Sequence, residues 1–475
     1  MQKLSNGVAN YEDLIKENRI YVDKTNYIEK MEQLPDKTLM FLRPRKFGKT
    51  LFTSTLECYY DKIKENKFDE LFKNTYIGKN PTKNKNRYCI LRFNFSGIST
   101  ETIEETRKGF NREVASSIEL FVGKYKMDFF VNRNDEAEGI LDNLFKAFLL
   151  QKPNDKIYVI IDEYDHFANE LLGFRTDEFK NLLAKNGKIR KWYEILKKGT
   201  ETVVDRIFIT GVAPITLDST TSGFNIARDI TKNIDFNDML GFSTEDVKYI
   251  MTQIEIPKEK QEELLPIMKI NYDGYVFSDM IRENIENYKL YNSNMTLYFL
   301  NLYQEQNRVP EELVDINILS DYSKIEAFMD LCQSMNKLEL LEKIVSGEDI
   351  EITLTEKFNV EIEFGEKELI SLLFYLGYLT IKEKGFSKCK FQIPNDVIRE
   401  IYSNYFLEYI SRKANISTDS IDTETINREL LLEGNISKLL DVLKIFLENL
   451  SNRDYCKFDE KYVKVIFYTI CRMLG

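Results

Sequence analysis

The stretch Thr38-Leu-Met-Phe-Leu-Arg-Pro-Arg-Lys-Phe-Gly-Lys-Thr50 constrains the fold more than any other part of the chain. Thr38 to Leu42 are mostly apolar and suit a buried strand; a turn ending in Gly48-Lys49-Thr50 follows, and then an amphipathic segment. Strand, glycine-bearing turn and helix is the layout that wraps backbone amides around phosphate, with a lysine on the terminal phosphates and a hydroxyl on magnesium. Lys49 and Thr50 supply those two side chains, and Arg45, Lys46, Phe47, Gly48 and Leu51 complete the candidate loop. The first glycine of the usual pattern is missing: Arg43 stands in its place, five residues before Gly48. Taken alone, the loop leaves open a chance Gly-Lys-Thr in an ordinary strand-to-helix turn.

A second motif bears on that choice. In Lys156-Ile-Tyr-Val-Ile-Ile-Asp-Glu-Tyr-Asp-His166, the run from Ile157 to Ile161 has the composition of a short buried strand, and Asp162 and Glu163 stand at its end. There the first carboxylate can hold a magnesium ion and the second can orient and deprotonate an attacking water. The plain alternative is a strand leaving its sheet through solvated acids. Strand-Gly-Lys-Thr-helix followed about 110 residues later by strand-Asp-Glu favours a P-loop fold that binds and hydrolyses ATP with Mg2+.

Whole-chain numbers permit this. With 475 residues and 43% hydrophobic content the chain can fill two or three cores. The net charge of -11 argues against a protein that coats DNA, though not against a local basic groove. Six cysteines without Cys-x-x-Cys spacing, together with His166 as the sole histidine, exclude a convincing zinc site or disulfide framework and point to a reducing cytoplasm. His166 is expected to be a surface helix-start residue. The chain contains no apolar run long enough to span a membrane.

Along the chain, the first 35 residues suggest helix, with Tyr11, Leu14, Ile15, Tyr21 and Ile28 as an apolar stripe. Strand-like and helical segments then alternate: Tyr88 to Phe95, a helical stretch to Leu150, the Asp-Glu strand, a basic helix with Trp192 within Lys185 to Lys198, and Arg206-Ile-Phe-Ile-Thr-Gly211. This rhythm predicts an α/β fold, a parallel sheet with crossover helices whose ligand binds at the carboxyl ends of the strands. That places Thr210 to sense the terminal phosphate or the attacking water, or merely to cap its strand. Ser243-Thr-Glu-Asp246 suggests a helix start, and Pro257 and Pro266 read as punctuation. From Glu366 an apolar helix, a hairpin over 379–393 and a helix after Pro394 give the order of a winged helix; lysines 382, 384, 388 and 390 could meet nucleic acid or simply solvent. The expected units are 1–235 (nucleotide core), 236–310 (helical), 311–412 (winged-helix-like) and 413–475 (helical). Arg228 is a candidate sensor or finger for a neighbouring subunit, against a plain surface cation.

Tyr21-Val-Asp-Lys-Thr25, Arg43 to Thr50, Ile161 to Asp165, Thr210-Gly-Val-Ala-Pro-Ile215, Ser222-Gly-Phe-Asn225, Tyr272-Asp-Gly-Tyr275 and Tyr375-Leu-Gly-Tyr-Leu-Thr380 together resemble the AAA-ATPase-like proteins that often carry a C-terminal PD-(D/E)XK nuclease-like domain. The resemblance implies that Arg43 is a family variant of the first loop glycine. It also implies kinship with AAA-like and STAND-like ATPases, in which nucleotide state switches an attached effector or partner. Residues 413–475 would then open the nuclease-like domain, but the acidic strand and Glu-x-Lys strand that perform cleavage are missing, and Asp459-Glu-Lys461 reads as a solvated helix start. Nuclease activity is not expected from this polypeptide alone.

Overall fold

The computed structural model describes residues 3–4, 7–166, 188–215, 226–281, 284–314, 325, 329, 337–358, 365–417, 421–449 and 460–473. Its centre is a parallel sheet built from β1 (Thr38–Leu42), β2 (Tyr88–Asn94), β3 (Lys156–Asp162), β4 (Val204–Gly211) and β5 (Arg228–Asp229), in the order β2-β3-β4-β1-β5. The four longer strands, β1 to β4, are largely buried apolar runs rather than alternating ones, and Ile157 to Ile161 is enclosed along its whole length. β4 lies between the phosphate-loop strand and the acid-bearing strand, with Thr210 in register with Phe41.

The helical N-terminus is interrupted. Helix α1 (Tyr11–Lys16) ends before a left-handed Asn18 (φ 52°), and α2 (Asn26–Gln33) begins only after an extended stretch. Asp23 breaks the expected stripe: its carboxylate accepts from the Thr25 amide (2.9 Å), the Thr25 hydroxyl (2.7 Å) and the Tyr76 amide (2.6 Å). Such local side-chain bonds compete with helix.

Helix α3 (Lys49–Tyr60) follows the loop, and α4 (Ile103–Lys124), α5 (Ala137–Gln151) and α6 (Lys188–Gly199) flank the sheet. On α6, Trp192 is fully buried against Phe93, Phe95 and Phe110, so that helix is a crossover packed on the sheet.

Beyond the sheet, α7 (Thr244–Gln253) starts with a capping box between Ser243 and Asp246. Helix α8 (Lys258–Tyr272) starts after Pro257 but runs through Pro266. Burial of Leu264, Met268 and Tyr272 outweighs the backbone hydrogen bond that Pro266 forgoes. Helix α9 (Ser293–Gln306) follows, then α10 (Lys337–Ser346), β6 (Ile350–Ile352), α11 (Glu366–Leu376), β7 (Thr380–Lys384), β8 (Cys389–Gln392) and α12 (Asp396–Ala414). β6, β8 and β7 form a small antiparallel sheet, and α13 (Ser437–Asn449) and α14 (Glu460–Met473) close the described chain.

Candidate functional site

β1 delivers the chain into the loop, and two left-handed residues, Lys46 (φ 68°) and Gly48 (φ 90°), turn it sharply. Left-handed residues in such turns are what form a concave nest of amides for an anion, and the α3 N-terminus adds its positive dipole end. Lys49 is buried, and its Nζ donates to the carbonyls of Arg43 and Pro44, both at 2.9 Å. Burial pushes its ammonium down from the ordinary lysine value. Arg45, Lys46, Phe47, Gly48, Lys49, Thr50, Leu51 and Glu163 line a pocket of about 400 Å³. The rest of the lining is largely apolar and comes from Val8 and Val22 near the N-terminus and from Leu240, Phe242, Ile250 and Leu297 beyond the sheet. Lys24 joins these two walls through its 2.6 Å ion pair with Asp246 at the start of α7.

At the end of β3, Asp162 is fully enclosed. Its Oδ2 lies 3.4 Å from the donor Arg92 Nη2 and 3.3 Å from Thr53 Oγ1, whose proton also meets the Thr50 carbonyl at 2.9 Å, while Oδ1 has no hydrogen-bond partner among the described residues. Burial pushes its carboxyl up, and Arg92 pulls against that shift. Glu163 takes a left-handed backbone (φ 52°) uncommon for a residue with a side chain. Its Oε2 lies 3.3 Å from His166 Nδ1, and that interaction holds its carboxyl below the usual range. His166 stands at a helix start as its sequence context suggests, but its imidazole is mostly covered and pairs with the candidate base instead of lying free on the surface. Thr210 is buried at the end of β4, and its hydroxyl lacks a partner among the described residues.

Two neighbours fix the exit of β4. Asp165 accepts from the Val212 amide (3.0 Å) and the Ala213 amide (2.7 Å). Tyr164 Oη donates to the Ala213 carbonyl (2.7 Å) and accepts from the Ile215 amide (3.1 Å). Gly211 is required at this crossing, since a Cβ there would stand 2.1 Å from Asp165 Oδ1. None of this was apparent from spacing; the closely set acids of Asp-Glu-Tyr-Asp were the available signal.

Arg43, the residue in place of the first loop glycine, does not line the pocket. The guanidinium is buried away from the pocket, with Nη1 donating to the carbonyls of Leu42 and Thr231 (2.9 Å each) and Nη2 to those of Phe236 (3.1 Å) and Asn237 (3.0 Å). It is sandwiched between the rings of Phe41 (4.1 Å) and Phe277 (4.2 Å). Phe47 likewise turns to the region beyond the sheet, packing on Tyr275 and Phe277. Arg228 is neither a helix cation nor near the phosphate loop: it sits on β5 in register with Leu39, toward the opening end of β1, and pairs with Asp36 at 2.9 Å. Ser222 to Asn225, residues 185–187 and Asp459 lie outside the described residues.

Residues 5–221 match the family model described as a predicted AAA-ATPase, and over that stretch the chain is AAA-ATPase-like. No curated protein matches the chain. Similarity to that family suggests ATP binding and ATPase activity. Its match stops short of residues 413–475, so the nuclease-like domain implied by the resemblance gains no support from it. No described helix is long and apolar enough to cross a membrane.

Proposed function

We propose that this chain is a magnesium-dependent ATPase whose nucleotide state is passed to the region beyond the sheet. The observation that carries this reading is the pair of enclosed oxygens without a hydrogen-bond partner among the described residues, Asp162 Oδ1 and Thr210 Oγ1, at the carboxyl ends of the adjacent strands β3 and β4, the second of which pairs directly with the phosphate-loop strand β1. Buried polar atoms are seldom left unpaired without a functional partner to come. A hard cation suits the free carboxylate oxygen of Asp162 together with the Thr50 hydroxyl, the usual oxygen donors for Mg2+.

The roles follow from position. Lys49 leaves the Arg43 and Pro44 carbonyls to meet the terminal phosphates, while Arg45 and Lys46 offset their remaining charge. Thr50 and Asp162 hold the cation, which when bound neutralises negative charge on the phosphates. Glu163, with its proton affinity lowered by His166, orients the attacking water and takes its proton; Thr210 donates to the water or the γ-phosphate. The apolar wall of Val8, Val22, Leu240, Phe242 and Leu297 suits the base.

Arg43 and Phe47 support the link to the C-terminal region, because both join the phosphate loop to residues beyond the sheet. Residues 337–414 would act as a winged-helix-like effector arm. A nucleic-acid role is disfavoured by the pairing of hairpin lysines with acids: Lys382 with Asp349 (2.7 Å) and Lys390 with Glu383 (3.2 Å).

The test is direct. Lys49→Ala should abolish ATP binding, and Glu163→Gln should retain binding while suppressing phosphate release by 100-fold or more, on the order of the loss of one general base. Normal hydrolysis by both variants would refute the assignment.

A further inference from the structure

Beneath the pocket a row of charged side chains runs between α3, β2 and β3, and no role proposed so far uses it. Arg92 stands on β2 in register with Ile160, two residues before Asp162 on β3. Since side chains on one face recur every second residue, Arg92 and Asp162 emerge on the same side of the sheet, under α3. Arg92 Nη2 donates to Thr53 Oγ1 at 3.0 Å and to Asp162 Oδ2 at 3.4 Å, while Nη1 donates to Glu57 Oε2 at 3.3 Å. Glu57 is one turn beyond Thr53 on α3 and also receives Lys124 Nζ at 2.8 Å; Lys124 in turn pairs with Asp61 at 2.7 Å. The guanidinium is thus anchored at one end by the Glu57-Lys124-Asp61 chain and presented at the other to a single oxygen of Asp162.

We infer that Arg92 is a positioning residue for the Asp162 carboxylate: aimed by the Thr53 hydroxyl, which accepts from the same nitrogen, it engages Oδ2, fixes the carboxylate's rotation and so reserves Oδ1 for a divalent cation. The inference rests on Asp162 being the cation ligand of the proposed ATPase. A carboxylate at a strand end can rotate about its last bond, and either oxygen can then face the loop. The single proton of the Thr53 hydroxyl is drawn to the Thr50 carbonyl at 2.9 Å rather than to Oδ2 at 3.3 Å, so the guanidinium is the donor that removes that freedom, without contacting nucleotide. The fork of an arginine is needed because one planar group must reach Glu57 with one nitrogen and Asp162 with the other; the single ammonium of a lysine cannot reproduce both contacts in that plane. Outer partners of this kind orient metal ligands, and their loss costs roughly 10- to 100-fold in metal affinity.

The experiment follows binding of a fluorescent ATP analogue to the full chain, first in EDTA and then against rising Mg2+, for the wild type, Arg92→Met, Arg92→Lys and Thr53→Val. The expected result is that Arg92→Met raises the Mg2+ concentration for half-maximal response about 10-fold or more, while affinity in EDTA stays within about twofold. Arg92→Lys should recover part of the shift, and Thr53→Val should move it in the same direction by a smaller factor. An unchanged Mg2+ curve in Arg92→Met, or an equal loss of affinity with and without Mg2+, overturns the positioning role. Should Arg92→Met not fold, Thr53→Val decides in the same way, because it removes the acceptor that aims the Arg92 nitrogen at Oδ2 and leaves the ion-pair chain intact. A wild type that fails to bind the analogue overturns the ATPase reading itself, and this inference with it; a wild-type Mg2+ response that both variants leave in place overturns only the inference.

Discussion

Arg43 offers the sharpest test of how the loop is built. Replacing it with Met keeps an unbranched chain between the Phe41 and Phe277 rings but removes the donors to the carbonyls of Leu42, Thr231, Phe236 and Asn237. Burial pushes the guanidinium down to about 9, so at neutral pH it is still charged and the carbonyls face a full cation. The variant leaves four neutral carbonyls and no unpaired charge, and each carbonyl that water cannot reach accounts for about 1–3 kcal/mol before relaxation, so the loss should be at least about 3 kcal/mol. With about 2–4 °C lost per kcal/mol in a domain of 150–250 residues, the thermal midpoint should fall by roughly 6 °C or more, measured by circular dichroism at a fixed scan rate. Nucleotide affinity of the folded fraction, measured well below that midpoint, should change by less than about threefold, since no side-chain contact with phosphate is lost. The opposite pattern, an unchanged midpoint with nucleotide binding lost, would refute the structural role and make Arg43 a phosphate ligand.

Gly377 ends α11 in a left-handed conformation (φ 85°), and a Cβ there would approach the Pro44 ring to 2.9 Å. Gly377→Ala should cost about 1–2 kcal/mol from the backbone alone and more from the clash, read as a lower urea midpoint; an unchanged midpoint would mean that the two turns do not touch. Glu12 accepts from Lys16 (2.7 Å), Lys64 (2.6 Å) and Lys67 (2.8 Å), and the Lys16 hydrogen bond leads in holding its carboxyl well below the usual range. A depressed carboxylate stabilises the fold above its unfolded value of about 4.3 and loses that contribution as pH falls toward its folded value. The stability gap between wild type and Glu12→Gln should therefore be full at pH 7 and shrink steadily below about pH 4; a gap that is independent of pH would contradict this.

What could be read from the sequence was local. The four long strands, the Gly-Lys-Thr turn and the capping box at Ser243 each announce themselves within about ten residues, through apolar runs or side chains that bond their own backbone. What escaped was set by distant partners. The guanidinium of Arg43 finds carbonyls 188 to 194 residues away, and nothing around Arg43 signals them. Arg92 reads as an ordinary polar residue in an apolar strand until α3 is laid over it. His166 stands at the expected helix start, but its pairing with Glu163 was not legible, because Glu163 meets it through an unusual left-handed backbone. The two-residue β5 carries no pattern at all, and it sets Arg228 as an exposed cation beside Leu39, toward the end of β1 away from the phosphate loop.

The missing glycine of the loop and the packing beyond the sheet have one physical origin. A glycine at residue 43 would leave the loop free of the region that follows β5; arginine there ties its back to Thr231, Phe236 and Asn237. Pro44 stands against the turn at Gly377, and Phe47 lies on Tyr275 and Phe277. That same stretch is bound to the small sheet and α12: the Val276 amide donates to Thr380 Oγ1 at 2.8 Å, and Asn395 Nδ2 donates to the Asp273 carbonyl at 2.9 Å. The two short motifs of the C-terminal half, Tyr272 to Tyr275 and Tyr375 to Thr380, thus converge on the back of the phosphate loop. On the proposed reading this explains how nucleotide reaches the effector arm without touching it. Lys49 holds the Arg43 and Pro44 carbonyls, and turning it toward phosphate releases two acceptors on the very residues that the C-terminal region grips. The energy available is modest, about 1.5–3 kcal/mol for each hydrogen bond to a charged donor, which is the scale of coupling between sites in switching proteins.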